Sequence, residues 1–107
     1  MQVQVKCSAF IFVPNKVVVG VSFVNGQKVE EKIPHIAVAT NEWRRYDEID
    51  RFVRAACQKG GPFSNIYTKL DKGEKVAQRF SEGLVSMGRD RNSVTAYMMV
   101  LEQDMVI

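Results

Sequence analysis

The sequence predicts a single α+β domain, residues 1–107, with a mixed or antiparallel sheet of four to five strands and two helices on one face. Three observations lead to this prediction. The chain has 107 residues, which suits one domain. Its first forty residues include a stretch that alternates between apolar and polar positions and a run rich in β-branched residues, both typical of strands. Two later segments carry apolar residues at helical spacing, which gives the order β-β-β-α-β-α-β.

Three strands are predicted before the first helix. Residues 3–12 alternate and end at the turn signal Pro14-Asn15. The next run, "KVVVGVSFV", is rich in β-branched residues at period two. Asn25-Gly26 then suits a type I′ hairpin, because both central residues of that turn need a positive φ. The returning strand begins near Gln27, is interrupted by Pro34 and continues as "HIAVAT".

The second half of the chain is predicted to hold two helices and two strands. Thr40 or Asn41 caps a helix whose apolar stripe is Tyr46, Ile49, Phe52, Val53, Ala56 and Cys57, and Gly60-Gly61-Pro62 ends it. "FSNIYTKL" is interpreted as a short strand or an extended loop. A second helix opens at Asp71 or Gly73, with Val76, Ala77, Phe80, Leu84 and Met87 facing inward. "SVTAYMMVL" is apolar on both faces, which suits a central strand.

Composition narrows the class of protein. Charged residues make up 25% of the chain and the net charge is +3, a mild surplus that favours polyanions without requiring them. The apolar runs are too short for a membrane span and no signal peptide is recognisable, so the predicted location is cytoplasmic, without membrane contact. Cys7 and Cys57 are expected to be reduced and buried. Because there is no P-loop, dinucleotide fingerprint or metal-ligand cluster, no cofactor or metal is expected.

Two basic clusters are candidates for binding phosphate. Trp43, Arg44 and Arg45 combine a stacking surface with guanidinium groups at a strand-to-helix junction. The alternative is a core tryptophan beside two surface arginines. The second cluster, at the predicted start of the second helix, consists of Lys69, Lys72, Lys75 and Arg79, and a plain solvated face is its alternative.

Charges along the first helix are interpreted as a solvated face. Asp47 with Arg51, and Asp50 with Arg54, stand four residues apart, the spacing at which opposite charges pair on a helix surface.

His35 is the only histidine of the chain, and it follows Pro34 at the start of an apolar strand. "KIPHIAVAT" resembles the His-x-Thr/Ser strand of the two-histidine phosphoesterases, in particular the 2′,3′-cyclic phosphodiesterase-like domains that act on RNA ends. The resemblance covers about residues 9–41. It implies that His35 is a catalytic acid or base beside a bound phosphate.

The chain departs from that family in two ways. Ala37 stands where the family has its hydroxyl, and no second histidine exists. In-line attack on a cyclic phosphate needs one group to accept a proton and another to donate one, so a monomer lacks the required pair. Two options keep the resemblance: a dimer that contributes His35 from each subunit, or a relative that binds without cleaving. The alternative is that His35 is a packed residue of an ordinary strand.

Three functions follow, and whether the protein is an enzyme stays open. The first is an RNA- or nucleotide-phosphate-binding module that is not catalytic as a monomer. The second is a protein-interaction or inhibitory module acting through a sheet edge or an apolar patch. Its basis includes the apolar C-terminus, where Met105, Val106 and Ile107 either pack on the core or mediate self-association. The third is a dimeric phosphodiesterase using His35.

Overall fold

Five strands and two helices make up the fold in a computed structural model, which describes residues 4–22, 33–74, 76, 80–88 and 92–106. In chain order the elements are β1 (Gln4–Val13), β2 (Val17–Val21), β3 (His35–Thr40), α1 (Tyr46–Cys57), α2 (Ser64–Asp71), β4 (Phe80–Ser86) and β5 (Ser93–Val106). The class is α+β, as predicted.

The strands form one antiparallel sheet in the order β3-β2-β1-β5-β4. The long strands β1 and β5 lie side by side at its centre, with Ile11 opposite Met98 and Phe12 opposite Tyr97. The register of β2 against β3 places His35 opposite Val21. The first and last strands of the chain are therefore the middle of the sheet, and β3 and β4 are its edges.

One face of the sheet is buried beneath both helices. Alternate residues of the strands point to this face, including Ile11, Val19 and Met98, which are fully buried. α1 packs against them through Ile49, Phe52, Val53, Ala56 and Cys57, which confirms the predicted apolar stripe except at Tyr46, whose exposed fraction is 58%. Phe63 and Tyr67 complete the core from the start of α2.

The predicted order of elements after α1 is wrong in two places. The segment interpreted as a short strand or an extended loop is helix α2. Its N-cap residue Phe63 and the helical residues Ile66, Tyr67 and Leu70 stand three or four residues apart or adjacent and pack on the core. The segment interpreted as the second helix contains strand β4, in which Phe80 and Leu84 are exposed and Val85 is buried. Apolar residues spaced by three and four fitted a helix there, but pairing with β5 determined the structure. The observed order is β-β-β-α-α-β-β.

The two ends of α1 differ in how well they were predicted. Neither Thr40 nor Asn41 caps the helix, because both lie before an extended segment and the N-cap residue is Arg45, without a side-chain capping bond. The C-terminal end agrees with the prediction, since the helix stops at Cys57 and the chain turns through Gly60, whose φ is +92°. This turn brings residues 59–62 beside the end of β4.

Some predictions lie outside the described residues: the Asn25-Gly26 hairpin, the start of the third strand near Gln27, and Ile107. Val106 does not pack on the core, since its exposed fraction is 63%. None of the helices described is long and apolar enough to cross a membrane.

Candidate functional site

The cluster of Trp43, Arg44 and Arg45 lies just before α1, with Trp43 turned inward. The Trp43 ring centroid is 5.2 Å from that of Phe52, and the Lys16 ammonium lies 5.5 Å from the Trp43 centroid. Lys16 is also paired with Glu42. Trp43 is therefore a partly buried packing residue, whereas Arg44 and Arg45 are exposed, the second of them 3.3 Å from Asp47.

The charges on α1 pair only in part as predicted. Arg54 donates to Asp50 over 2.6 Å, which confirms that pair. The predicted Asp47–Arg51 pair is wrong, because Asp47 is paired with Arg45 at the start of the helix. Among the residues described, Arg51 has no ion pair or hydrogen-bond partner through its side chain. Its positive charge is therefore available to a ligand.

Arg51 lines an open groove of about 510 Å³ between the second half of α1 and the end of β4. We call this the Arg51 groove. Its walls are Arg51, Arg54, Ala55 and Gln58 of α1, the turn formed by residues 59–62, and Leu84, Ser86, Met87 and Gly88. A volume of this order suits a small ligand or one segment of a larger one.

The lining of the Arg51 groove is basic. Among the described residues it includes the side chains of Arg51, Arg54 and Lys59 and no carboxylate. Lys59, like Arg51, is exposed and has no ion-pair partner in the described part of the chain. Arg54 contacts Asp50 through one nitrogen, which leaves other guanidinium N–H groups for a ligand. Two unpaired cations and a third anchored one make the groove suitable for phosphate.

The second predicted cluster does not form a helix N-terminal anion site. Lys69 lies in the last turn of α2, and Lys72 is its C-cap residue. The prediction that these lysines open a helix is wrong, because α2 ends where the second helix was expected to begin. A helix C-terminus exposes carbonyl oxygens, which attract cations and repel anions. Lys75 and Arg79 lie outside the described residues.

His35 lies at the start of edge strand β3, on the face that the helices cover. Its ring stacks on Tyr46, the first residue of α1, with 5.8 Å between centroids and 15° between planes. Nδ1 is 2.7 Å from the carbonyl oxygen of Ile33, so Nδ1 donates and Nε2 carries the lone pair. Nε2 is buried, with no hydrogen-bond partner among the described residues. Neither nitrogen is open to a substrate in this arrangement.

The sheet face opposite the helices is apolar and, among the elements described, has no cover. We call it the aromatic face, and it contains a recess of about 640 Å³. Its residues are Phe10, Phe12, Val18, Phe80, Tyr97 and Met99, with Pro14 at the rim. Tyr97 lies between Phe12 and Phe80, at centroid distances of 6.2 and 5.7 Å. Phe12, Phe80 and Met99 are 45%, 52% and 47% exposed, unusual for large apolar side chains that are contiguous.

Sequence reasoning missed both the Arg51 groove and the aromatic face. The sequence predicts Arg51 as the partner of Asp47 on a solvated face, and no pattern singles out Lys59. The groove forms because the turn at Gly60 meets the end of β4, a contact between distant segments that no local pattern reveals. The aromatic face did have a signal in the sequence. Strands β1 and β5 have apolar residues at successive positions, so both faces of the sheet are apolar there, and two helices on one side cover only one of them.

Other kinds of site find no support within the described ranges, where no three His, Cys, Asp or Glu residues are grouped to hold a metal ion. Both cysteines are buried and unpaired, and burial raises the pKa of each thiol. Comparison of the chain with family models, curated proteins and solved structures gives no match in any of the three.

Proposed function

We propose that the chain is a small cytoplasmic module that binds RNA or nucleotide phosphate, with the Arg51 groove as its anion site. The observation that carries this proposal is the pair of cations Arg51 and Lys59, which have no ion-pair partner in the described part of the chain, on a groove whose described lining adds a third cation and no acid. Phosphate contacts release counterions from a nucleic acid, so such a site gives affinity that depends on salt. The net charge of +3 favours the same class of ligand.

The proposal is one of binding without catalysis by the monomer. Opening a cyclic phosphate needs a general acid and a general base, and His35 is the only imidazole in the chain. The contacts of His35 with Ile33 and Tyr46 occupy or cover its ring nitrogens, which gives the dimeric phosphodiesterase hypothesis no support. The resemblance to the two-histidine family therefore contributes a class of ligand, RNA ends, and not a reaction.

The test is a titration of a fluorescently labelled single-stranded RNA with a 2′,3′-cyclic phosphate end, followed by anisotropy at several salt concentrations. Affinity should fall with salt, with a log–log slope of about −0.7 for each phosphate contact. Arg51→Ala and Lys59→Ala should each weaken binding about tenfold, as expected for a lost charge-assisted hydrogen bond. Competition by inorganic phosphate or a nucleotide then separates recognition of the phosphate from recognition of the chain.

Lys72→Ala is the matched control, because it removes the same charge from an exposed residue outside the groove lining. We expect Lys72→Ala to weaken binding less than twofold, that is, by less than about 0.5 kcal/mol. Equal losses in all three variants would mean that only net charge matters, and an affinity that does not change with salt would exclude phosphate contacts. Appearance of the opened phosphate in the same samples would show an enzyme instead of a binder.

A second function, a protein-interaction module, is favoured by the aromatic face. Soluble monomers seldom leave several half-exposed aromatic and methionine side chains in one patch. The described residues that line the recess on this face carry no charge, so it is chemically unlike the Arg51 groove. The two surfaces lie on different parts of the fold, and each can be tested with the other intact.

A further inference from the structure

We infer that the aromatic face is an interface between two copies of this chain, which pack sheet against sheet about a two-fold axis. This inference rests on the second function proposed above and is independent of phosphate binding. Four features of the face lead to it: its area, its lack of charge, its shape, and the position of the helices.

The area of the aromatic face suits a weak dimer. A fully exposed aromatic or methionine side chain offers about 200 Å², so Phe12, Phe80 and Met99 together leave on the order of 300 Å² open. The partly exposed Phe10, Val18 and Tyr97 extend the patch to about 400–500 Å². Two such faces bury about 800–1,000 Å² in total, the area of a small, weak interface.

The lack of charge distinguishes a second copy from other occupants. Among the described residues that line the recess none is charged, and the nearest described charge along β4 is the exposed carboxylate of Glu82, opposite Tyr97. A polyanion finds no cation there, and a basic partner finds a single carboxylate. An identical apolar face needs no complementary charge, since burial of apolar area alone drives the contact.

The shape of the face is suited to contact with itself. The recess is an open depression among the aromatic side chains, and Leu101, two positions after Met99 on β5, is a further apolar side chain that is 43% exposed. A two-fold contact presents the same patch from both sides, so the recess of one copy faces the aromatic side chains of the other. Two sheets packed in this way lie about 10 Å apart, the spacing at which side chains of facing sheets interdigitate.

The position of the helices gives this dimer a consequence. The helices and the Arg51 groove stay on the outside, so phosphate binding continues in the dimer. His35 of each copy also points away from the interface, since it lies on the face that α1 covers. Sheet-to-sheet pairing therefore forms no two-histidine site.

The first test is sedimentation velocity of the wild type and of Phe12→Lys and Met99→Lys, at concentrations from about 1 to about 200 μM, which bracket the micromolar affinities of modest interfaces. We expect a monomer–dimer equilibrium in the wild type. Each lysine should raise the dissociation constant at least about tenfold, because it places an unpaired charge in an apolar contact. Circular dichroism monitors the fold, and since both residues are half exposed, a lysine has room to reach solvent.

Two control variants separate this interface from others. Val38→Lys changes a residue of edge strand β3 that is 41% exposed and outside the recess, and Val106→Lys changes the C-terminal strand. Both should dimerise as the wild type does. A wild type that stays monomeric at every concentration overturns the inference. So does a dimer that Val106→Lys disrupts and the two face variants leave intact, because the contact would then be C-terminal.

A second measurement needs no variant. Hydroxyl-radical oxidation of the wild type should decrease at Met99 and Tyr97 as concentration rises, whereas oxidation of the partly exposed Met105 should stay constant. Equal oxidation of Met99 at all concentrations counts against the interface. RNA titration of Met99→Lys then distinguishes dimerisation from phosphate binding. If this variant no longer dimerises but binds RNA as the wild type does, the two functions are separate, as inferred.

Discussion

Arg54 connects the core to the Arg51 groove through Asp50. One nitrogen of its half-exposed guanidinium is 2.6 Å from Oδ2 of Asp50, whose exposed fraction is only 7%. Oδ1 of the same carboxylate is buried and has no hydrogen-bond partner among the described residues. Because a buried carboxylate is costly without a partner, Arg54 has a structural role that its neighbour Arg51 lacks.

Arg54→Ala should therefore destabilise the fold, whereas Arg51→Ala should not. Loss of the Arg54 contact leaves the Asp50 carboxylate buried and unpaired, and we expect a cost of about 2 kcal/mol after allowance for the exposure of the arginine. Arg51→Ala should change the free energy of unfolding by less than about 0.5 kcal/mol. Urea denaturation of both variants measures this difference. Equal stabilities would mean that water satisfies Asp50 without Arg54.

Gly20 is predicted to tolerate no side chain. An added Cβ would lie 2.7 Å from Sγ of Cys7 and 3.3 Å from side-chain atoms of Ile36 and Phe10. Gly20→Ala should cost about 1–3 kcal/mol, the usual range for overpacking. In the Cys7→Ala background the closest contact is gone, so the same substitution should cost less. A double-mutant cycle by thermal or urea denaturation tests this coupling, and strictly additive costs would contradict it.

Cys57 is predicted to make stability decrease above pH 9. Burial raises the pKa of this thiol to about 12 from an ordinary value of 9.0. The folded protein then holds the proton to a higher pH than the unfolded chain does. Its contribution to stability is complete below pH 9 and is lost as the pH rises from 9 to 12, with a slope of up to about 1.4 kcal/mol per pH unit.

The control for this prediction is Cys57→Ala, because lysines and tyrosines also titrate in this range. Unfolding free energies of the two proteins should run parallel below pH 9 and then converge, as the wild type loses stability faster. Parallel curves up to pH 11 would contradict the assigned shift.

The contrast between α1 and the segment after it explains how far the sequence could predict the fold. Buried residues recur at helical spacing along α1 and at every second position along β2, and the helix and the strand were both predicted in these segments. At Phe80 and Leu84 a spacing of four favoured a helix, but pairing of β4 with β5 overrode it. Apolar positions also stand three or four apart in α2, a signal that was present and was interpreted as a strand or an extended loop.

The candidate site was less predictable, because it depends on contacts between distant segments. The Asp50–Arg54 pair follows from local spacing and was predicted. Arg51 is available to a ligand because Asp47 pairs with Arg45. It lines a groove because the end of β4 lies beside the turn after α1. The spacing of four favours Arg51 as the partner of Asp47, but Arg45, two residues away and just before the helix, is the partner in the folded arrangement.

Trp43 allows the two basic candidates to be distinguished in one experiment, since it is the only tryptophan of the chain. Its ring packs near Phe52 and near Lys16, is partly buried, and is not among the residues that line the Arg51 groove. A base that stacked on Trp43 would quench its fluorescence strongly. We expect RNA to bind without such quenching, because Trp43 does not line the phosphate site. Quenching that saturates with binding, and that Arg44→Ala weakens more than Arg51→Ala, would instead place the RNA on Trp43, Arg44 and Arg45. Unfolding in urea is the positive control. It separates Trp43 from Phe52, so it must change Trp43 emission, and this shows that the fluorescence responds to the surroundings of the ring.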